Sequence, residues 1–440
     1  MHYLPNILFA ILLIIGTAFF IKNVKKIIRN IKLGKPLDRS DHKSERWKMM
    51  ARVALGQGKM VRRPFPGILH ILVYAGFIII NIEVIEIIID GLFGTHRVFA
   101  FAGGLYDILI ASFEVLAFLV LLSVIIFWIR RVIIRIPRFW NKEMTRWPKN
   151  DALNILYFEM VLMSLFLLMN AADANLQAME YGHYIKAGSF PISQYLAPLL
   201  PNNPETLQLI ERSAWWIHII GIFIFLNYLY YSKHLHILSA FPNTYYADLN
   251  PKGQLDNLES VTNEVKMMLD PNADPFAMPE EGDEADIPDK FGASDVLDLN
   301  WVQLMNAYTC TECGRCTSVC PANQTGKELS PRAIMMKTRD RLEEIGKNID
   351  KNGKFIDDGK QLLNDYITPE ELWACTTCNA CVQECPVLID PVSIIIDMRR
   401  YLVMEQSAAP TELNMMMTNI ENNGAPWQYN QQDRLNWKDE

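Results

Sequence analysis

The chain has 440 residues, half of them hydrophobic, and a formal net charge of −7. This acidic balance excludes a chain whose general partner is nucleic acid, because such proteins carry a basic excess. Apolar residues are concentrated in the first 235 positions, whereas acidic and amide residues dominate the remainder. The composition therefore predicts two environments for one chain, a lipid bilayer for the first half and water for the second.

Five apolar segments of the first half are long enough to cross a bilayer, whose hydrocarbon core needs about 20 helical residues. The first has no basic segment before it and no small-residue cleavage site after it, so we interpret it as a retained span rather than a signal peptide. The predicted spans are Leu4–Ile21, Ile68–Ile89, Leu105–Ile129, Leu153–Ala172 and Ala214–Tyr231.

The charges of the connecting loops predict the orientation. The loop from Lys22 to Arg63 has 14 basic and three acidic residues, and the loop at 130–149 has seven basic and one acidic. Both are predicted to be cytoplasmic by the positive-inside rule, which places the N-terminus and the poorly charged opposite loops outside. With five spans and an external N-terminus, the residues after Ser232 are predicted to lie in the cytoplasm. The chain is therefore expected to be a multi-pass protein of the cytoplasmic membrane.

Residues 248–298 hold 14 acidic and three basic residues together with five prolines, a composition typical of a solvated linker. We therefore predict four parts. They are a transmembrane domain at 1–242, an acidic linker at 243–299, a cysteine-rich domain at 300–410 and a C-terminal partner-docking tail at 411–440.

All eight cysteines lie in two copies of one motif. Residues 310–321 read C-T-E-C-G-R-C-T-S-V-C-P and residues 375–386 read C-T-T-C-N-A-C-V-Q-E-C-P. This C-x2-C-x2-C-x3-C-P pattern is the bacterial ferredoxin run, in which three cysteines hold one [4Fe–4S] cluster and the fourth ligates the other. The predicted ligand sets are Cys310, Cys313, Cys316 and Cys385 for one cluster, and Cys375, Cys378, Cys381 and Cys320 for the other.

Zinc and disulfides are weaker interpretations of these cysteines. A zinc site built from C-x2-C pairs has no use for the third cysteine of the motif, three residues after the second, or for the fourth, which precedes proline. A disulfide framework would have cysteines spread along a small secreted domain. The motifs are separated by 54 residues of largely helical composition. That arrangement resembles the α-helical ferredoxin of succinate dehydrogenase and heterodisulfide reductase iron–sulfur subunits.

Two histidines lie at matching depth in the predicted spans. His70 opens the second span and His236 closes the fifth at the same, cytoplasmic side. On a continuous helix His236 would share a face with His218, five turns earlier, whereas His234 would point elsewhere. A haem b with two histidine ligands needs imidazoles from facing helices at equal depth, which His70 and His236 satisfy. The alternative is that these are interfacial side chains.

Two segments resemble the nitrate reductase gamma-subunit family of five-helix cytochromes b. They are residues 67–80, G-I-L-H-I-L-V-Y-A-G-F-I-I-I, and residues 216–242, which include W-I-H-I-I-G and S-K-H-L-H. The resemblance implies that His70 and His236 ligate the cytoplasmic-side haem and that His218 is one ligand of an outer haem. The other outer ligand should lie ten residues after His70, where this chain has Ile80.

We therefore expect one haem b, with two as the alternative, and interpret His218 as a quinone-site residue or as a haem ligand with an unidentified partner. Glu83 and Glu86 lie in the outer half of the second span, where a carboxylate is costly unless it is paired or protonated. They are interpreted either as a proton-handling or quinone pair or as a packed structural pair. The expected fold is all-α, with a five-helix transmembrane bundle of cytochrome b type and a cytoplasmic α-helical ferredoxin with two [4Fe–4S] clusters.

Residues 418–437 resemble the segment that leads into cysteine-rich CCG modules in fused relatives of heterodisulfide reductase. The resemblances together identify the chain as a membrane-bound heterodisulfide-reductase-related oxidoreductase subunit. They imply a separate CCG-domain iron–sulfur protein and an electron-transfer flavoprotein as partners, with quinone as the substrate.

The expected role is that of an electron-transfer subunit of a quinone-linked complex, passing electrons between a cytoplasmic partner and the quinone pool. One alternative is quinol-driven reduction of a cytoplasmic disulfide or sulfur acceptor. Another is a non-catalytic anchor or redox-sensing scaffold.

The loop charges generate a topology prediction. Reporter fusions after Ser232 and within 40–60 should read cytoplasmic, and a fusion within 187–200 should read external, because the inner loops hold 21 basic residues and the outer loops only three. Paired alkaline phosphatase and fluorescent protein fusions measure this. A cytoplasmic signal from the 187–200 fusion would contradict the five-span orientation.

Overall fold

The computed structural model describes residues 3–271 and 290–439, and within them the regular structure is helical. The first half contains five long helices. In the second of them, Pro64–Phe93, Pro64 occupies the first turn, and Gly94 ends the helix with a left-handed φ of 72°. The helices of this half are α1 Leu4–Ile31, α2 Lys43–Met50, α3 Pro64–Phe93, α4 Gly104–Val132, α5 Arg146–Ala178 and α6 Pro204–Tyr228.

The long helices pack as a closed bundle in the order α1, α3, α4, α5 and α6, with α6 returning to α1. Close approach of α3 and α4 depends on Gly76, since a Cβ there would lie 2.4 Å from Cγ2 of Val120. The five predicted spans are confirmed as helices long and apolar enough to cross a membrane. Each helix is longer than its predicted span, because polar turns continue it beyond the apolar core.

The helix of the fifth span is interrupted before His236, whereas the prediction for the histidines assumed one continuous helix. After α6 the chain passes through a short 3₁₀ turn to Ser232, which is extended at φ −112° and ψ 146°. A new helix, α7 His236–Tyr245, begins only at His236. His218 and His236 therefore lie on different helices, and the prediction that they share one face was wrong.

The second half folds into short helices around a separate hydrophobic core, which includes Leu304, Ile334, Leu342 and Ile394. Two of its helices follow the cysteine motifs, and Pro321 and Pro391 occupy first-turn positions. The helices are α8 Glu259–Leu269, α9 Trp301–Thr309, α10 Arg315–Ser318, α11 Pro321–Gln324, α12 Pro331–Asn352, α13 Leu362–Asp365, α14 Pro369–Trp373, α15 Ala380–Glu384, α16 Pro391–Met404 and α17 Thr411–Asn423.

The predicted acidic linker at 243–299 is more structured than its composition indicated. Its described part contains α8, and its last ten residues are packed into the ferredoxin core through Ala293, Val296 and Leu299. Asp295 caps the following turn and pairs with the buried Arg341. Burial of these residues makes 290–299 part of the cysteine-rich domain, whereas 272–289 lie outside the described residues.

The ferredoxin domain rests directly on one end of the helix bundle, which we call the ferredoxin side. The end of α1 enters the ferredoxin core, where Asn30 donates a hydrogen bond to the Tyr308 hydroxyl at 2.9 Å. Backbone pairing continues this contact, since the Lys35 amide donates to the Leu299 carbonyl at 2.8 Å. Gly34 is required there because a Cβ would lie 2.6 Å from the Trp301 amide nitrogen. The two domains thus form one packed unit.

Candidate functional site

The first cysteine set surrounds a cavity inside the ferredoxin domain. Cys310, Cys313 and Cys316 approach it from the first motif, and Cys385 reaches it from the second. Three thiols therefore come from one short loop and the fourth from 69 positions along the chain. This is the grouping that crosswise ligation of a [4Fe–4S] cluster requires.

The remaining cysteines form a second group nearer the surface. Burial raises the pKa of Cys375, and the neighbouring thiols Cys320 and Cys378 act in the same direction. Cys381 has Cys375 and Cys320 as neighbours as well. Cys378 is exposed. The fourth cysteine of the first motif thus lies among the first three of the second.

The chemistry of both groups fits iron–sulfur clusters. All eight cysteines are free thiols, and burial raises the pKa of Cys385 to about 11, with Cys313 adding to the effect. Buried thiols that resist ionisation by themselves are deprotonated when they bind a metal. Backbone amides already point at sulfur, since Ile389 N lies 3.3 Å from Cys385 Sγ. Among residues 3–271 and 290–439 no three or more His, Cys, Asp or Glu side chains are arranged to hold a single ion.

Buried ion pairs tie the first motif to the membrane bundle. Glu312 pairs with Arg339 at 2.7 Å and with Lys233, which follows the fifth span. Burial opposes ionisation of Glu312, but these two cations outweigh it and lower its pKa. Arg332, fully buried, pairs with Glu143 of the loop between α4 and α5 at 2.6 Å. The first cysteine loop therefore has a fixed position above the bundle.

The second motif is held by the loop that precedes α3. Lys59 Nζ donates to the carbonyl of Cys385 at 3.0 Å, and Arg63 Nε donates to Glu384 at 2.9 Å. Burial lowers the pKa of Lys59 to about 8, which Cys385 partly opposes. Both loops that contact the cysteine motifs are the strongly basic loops singled out in the sequence.

His70 and His236 face each other in a second cavity, on the ferredoxin side of the bundle. Their ring centroids are 6.4 Å apart with an angle of 39° between the planes. Two imidazoles that bind one metal from opposite sides at about 2 Å each have centroids roughly 6 Å apart. His236 Nδ1 lies 3.1 Å from the Lys233 carbonyl, which leaves Nε2 available as a ligand, and Nδ1 of His70 is buried without a hydrogen-bond partner. This pair could hold a haem iron.

The other two span histidines are placed differently. His234 lines the same cavity, but its Nε2 lies 3.7 Å from Glu159. His218 is buried on α6 with Nδ1 3.0 Å from the Leu162 carbonyl and its ring beside Phe166. The structure brings His218 together with neither His70 nor His236.

A third cavity, of about 460 Å³, lies in the opposite half of the bundle. The predicted pair Glu83 and Glu86 lines it, but the two are not bonded to each other. Glu86 accepts hydrogen bonds from the Tyr106 hydroxyl and the Phe99 amide, both at 2.8 Å, whereas Oε2 of Glu83 is buried without a partner. We call this space the outer cavity; its other polar lining residues are Asn6, Asp90, His96, Arg97, Asp173, His183, Glu211 and Arg212.

Sequence reasoning missed most of this outer network. Arg97 donates to Asp173 at 2.7 Å, and His96 Nε2 lies 3.4 Å from the same carboxylate. These residues come from a loop after α3 and from the last turns of α5. The available signal was an aspartate directly after the predicted fourth span, which is costly near a bilayer unless a cation pairs with it.

Comparison with known proteins agrees with the cysteine assignment at the level of the domain. The 4Fe-4S dicluster domain family matches residues 309–389. The chain is 31% identical to a probable iron-sulfur-binding oxidoreductase of Bacillus subtilis, FadF, over 98% of this chain and 61% of that protein. It is 25% identical to the EtfAB:quinone oxidoreductase of Syntrophomonas wolfei, over 88% of this chain and 53% of that protein.

The cysteine-rich half has further relatives. The chain is 30% identical to one component of a ferredoxin/F420H2-dependent CoB-CoM heterodisulfide reductase of Methanosarcina acetivorans, over 27% of this chain and 60% of that component. No solved structure matches the chain. The chain spans less than two thirds of the length of the two relatives that match most of it. The chain thus resembles iron–sulfur oxidoreductases along most of its length and heterodisulfide reductase subunits in its cysteine-rich half.

The grouping of the cysteines generates a prediction for ligation. Cys320→Ser should damage mainly the cluster held by the 375–381 loop, and Cys385→Ser mainly the cluster held by the 310–316 loop, because each fourth cysteine lies with the distant motif. Electron paramagnetic resonance of the reduced, anaerobically purified variants, with iron counts near eight for the wild type in addition to any haem iron, measures this. Loss of only the 310–316 cluster in Cys320→Ser, or of only the 375–381 cluster in Cys385→Ser, would contradict crosswise ligation.

Proposed function

We propose that the chain is a membrane-anchored electron-transfer subunit that passes electrons between a cytoplasmic partner and the quinone pool. The ligands are the two crosswise cysteine sets and the His70 and His236 pair, which hold two [4Fe–4S] clusters and one haem b. When bound, each of these groups carries one electron at a time. The quinone takes up two electrons and two protons, and the partner supplies or accepts electrons at the other end.

One observation carries the proposal, namely that the cysteine and histidine cavities adjoin. Cys313 and Arg315 of the first motif, and Pro386 after Cys385, line both the cavity of the first cysteine set and that of His70 and His236. A cluster in the first set is therefore next to the histidine pair. No cysteine of the second set lines the histidine cavity, whereas Cys381 of that set lines the cavity of the first. The order from partner to membrane is second set, first set and histidine pair.

The partner end is the second cysteine set, where Cys378 is exposed. The EtfAB:quinone oxidoreductase among the relatives supports an electron-transfer flavoprotein as donor, and the relatives from heterodisulfide reductases support a heterodisulfide-reductase-type subunit as a partner. We propose that this subunit is a separate CCG-domain iron–sulfur protein. The tail at 411–440 is the proposed docking segment. Its helix α17 has no buried residue, and Trp427 and Trp437 are both exposed.

The quinone end is the outer cavity. Its volume falls within the range of small-molecule sites, and it combines the aromatic walls of Trp215 and Trp216 with the unpartnered carboxyl of Glu83. On α3, Glu83 follows His70 by 13 residues, which is about 20 Å along the helix. Glu83 can hold a proton at Oε2 and donate a hydrogen bond to a quinone oxygen. By the positive-inside rule, the proposed orientation has this cavity toward the outside and the clusters in the cytoplasm.

The histidine assignment predicts which substitutions remove haem. His70→Ala and His236→Ala should each abolish the α-band of a low-spin haem b, whereas His234→Ala should retain it, because only the first two rings face each other at 6.4 Å. His218→Ala should leave the haem content unchanged, since the His218 ring is hydrogen-bonded to the Leu162 carbonyl and does not face His70 or His236. Pyridine haemochrome assays on purified protein measure this. Two haems per wild-type chain with one remaining in His218→Ala would contradict the single-haem proposal.

The outer cavity predicts a separate effect on quinone turnover. Glu83→Gln should lower the rate of haem reduction by a menaquinol analogue at least tenfold while leaving the haem spectrum and its reduction by dithionite unchanged, because it removes the acid without changing the volume. Glu205→Gln, an exposed carboxylate at the start of α6, is the matched control. Wild-type rates in Glu83→Gln would exclude this carboxyl from quinone chemistry.

A further inference from the structure

The wall of the His70 and His236 cavity has an excess of positive charge. Five cationic side chains line it, and among the described residues the only carboxylate in its lining is Glu159, which faces His234. Lys233 is neutralised by Glu312. The four others, Arg130, Arg131, Arg138 and Arg315, have no carboxylate partner within the part of the chain that the structure describes.

Two of these arginines are explained by their own helix. Arg130 and Arg131 lie in the last turn of α4, where a cation interacts favourably with the free carbonyls of the helix end. Each also lies over an aromatic ring, Arg130 at 5.2 Å from the centroid of Phe65 and Arg131 at 4.2 Å from that of Phe139. Their charges need no further partner.

Arg138 and Arg315 do not lie in the last turn of a long helix. Arg138 lies 4.9 Å from the centroid of Phe139, but Arg131 covers the same ring, so two cations share it. Arg315 begins the short helix after Cys313, is 4% exposed, and makes one described side-chain hydrogen bond, to the Lys59 carbonyl at 3.5 Å. Nε of Arg138 is buried without a partner. Burial lowers the pKa of Arg138, which Cys313 opposes, while Arg63, Arg315 and Arg130 lower it further. The two guanidinium groups therefore lie close to each other and to other cations.

Buried guanidinium groups carry a free-energy cost when no anion pairs with them. Removing an ion from water costs several kcal/mol even after relaxation, and neighbouring like charges add to that cost. The planar guanidinium matches a carboxylate, to which it can donate two parallel hydrogen bonds. A haem b carries two carboxylate side chains on one edge of the porphyrin. The cavity thus offers two unpaired guanidinium groups beside the histidine pair that would hold such a porphyrin.

We propose that Arg138 and Arg315 bind the two propionate groups of the haem held by His70 and His236. This proposal rests on the proposed haem. One arginine comes from the loop between α4 and α5 and the other from the ferredoxin domain, so the haem site is completed only when the two domains are packed together. The propionate edge then faces the cavity of Cys310, Cys313, Cys316 and Cys385.

The competing role for these arginines is to neutralise the first cluster, because Arg315 also lines the cysteine cavity. The two roles differ in which centre responds to loss of the charge. A cation that binds a propionate stabilises the reduced haem, so its removal should lower the haem potential. A cation that serves the cluster should change the cluster potential and leave the haem unaffected.

The experiment uses the full-length holoprotein in detergent and the variants Arg138→Gln and Arg315→Gln. Arg135→Gln is the matched control, since Arg135 is an exposed arginine of the same loop that lies over Trp140. Optical redox titration should show an approximately tenfold shift of each variant's haem toward the oxidised form, about 59 mV for one electron. The propionate bending bands in resonance Raman spectra should shift in both variants and stay unchanged in Arg135→Gln.

Arg315→Lys and Arg138→Lys keep the proposal testable if a glutamine variant fails to fold. Each should retain most of the haem potential, because the charge remains, but shift the propionate bands, because the paired hydrogen bonds are lost. Unchanged haem potential and Raman bands in folded variants would overturn the proposal, as would a shift in the cluster potential alone. Absence of a haem α-band from the wild type would instead overturn the proposed haem itself.

Discussion

The position of the first cysteine loop over the bundle depends on a buried ion pair, between Glu312 in the first cysteine motif and Lys233 after the fifth span. Removal of Glu312 would leave two buried cations, Lys233 and Arg339, without the carboxylate that they share, and breaking a buried pair in this way costs about 3–5 kcal/mol. The backbone of Lys233 also orients His236 through its carbonyl. One residue of the membrane bundle thus fixes a cysteine loop and a candidate haem ligand together, and their separation does not vary independently.

The basic loops of the bundle have a second consequence beyond orientation. Positive-inside charge is usually explained by insertion, yet here Lys59 and Arg63 contact the second motif, and Arg138 lies beside the first. A [4Fe–4S] cluster with four thiolates is anionic, and nearby cations and hydrogen bonds raise its potential. The charges from which the membrane orientation is predicted are therefore also the charges that surround the candidate electron path.

Much of this architecture was predictable from the sequence, because its signals are local. Apolar length predicts a span, and the spacing of four cysteines predicts a cluster loop, without knowledge of the rest of the fold. The break at Ser232 could not be predicted in this way, since Y-Y-S-K-H has ordinary composition and the extended backbone is set by tertiary contacts. The packing of 290–299 into the ferredoxin core was missed for the same reason, because three apolar residues were outweighed by the surrounding acids.

The histidines show that a sequence pattern and the structure can select the same candidate residue for different reasons. Helical phase selected His236 over His234 on the assumption of an unbroken helix, whereas the structure selects it because α7 begins at His236 and directs its ring toward His70. His234, in the preceding turn, lies beside Glu159 instead. The same break leaves His218 alone in the middle of α6, near Leu162, with Ile80 on α3 at the position where the resemblance expected a second ligand. This half of the bundle holds a cavity lined by carboxylates, histidines and arginines. Such groups bind and release protons, which a haem with two histidine ligands does not do, and this makes that end of the chain suited to chemistry in which protons accompany electrons.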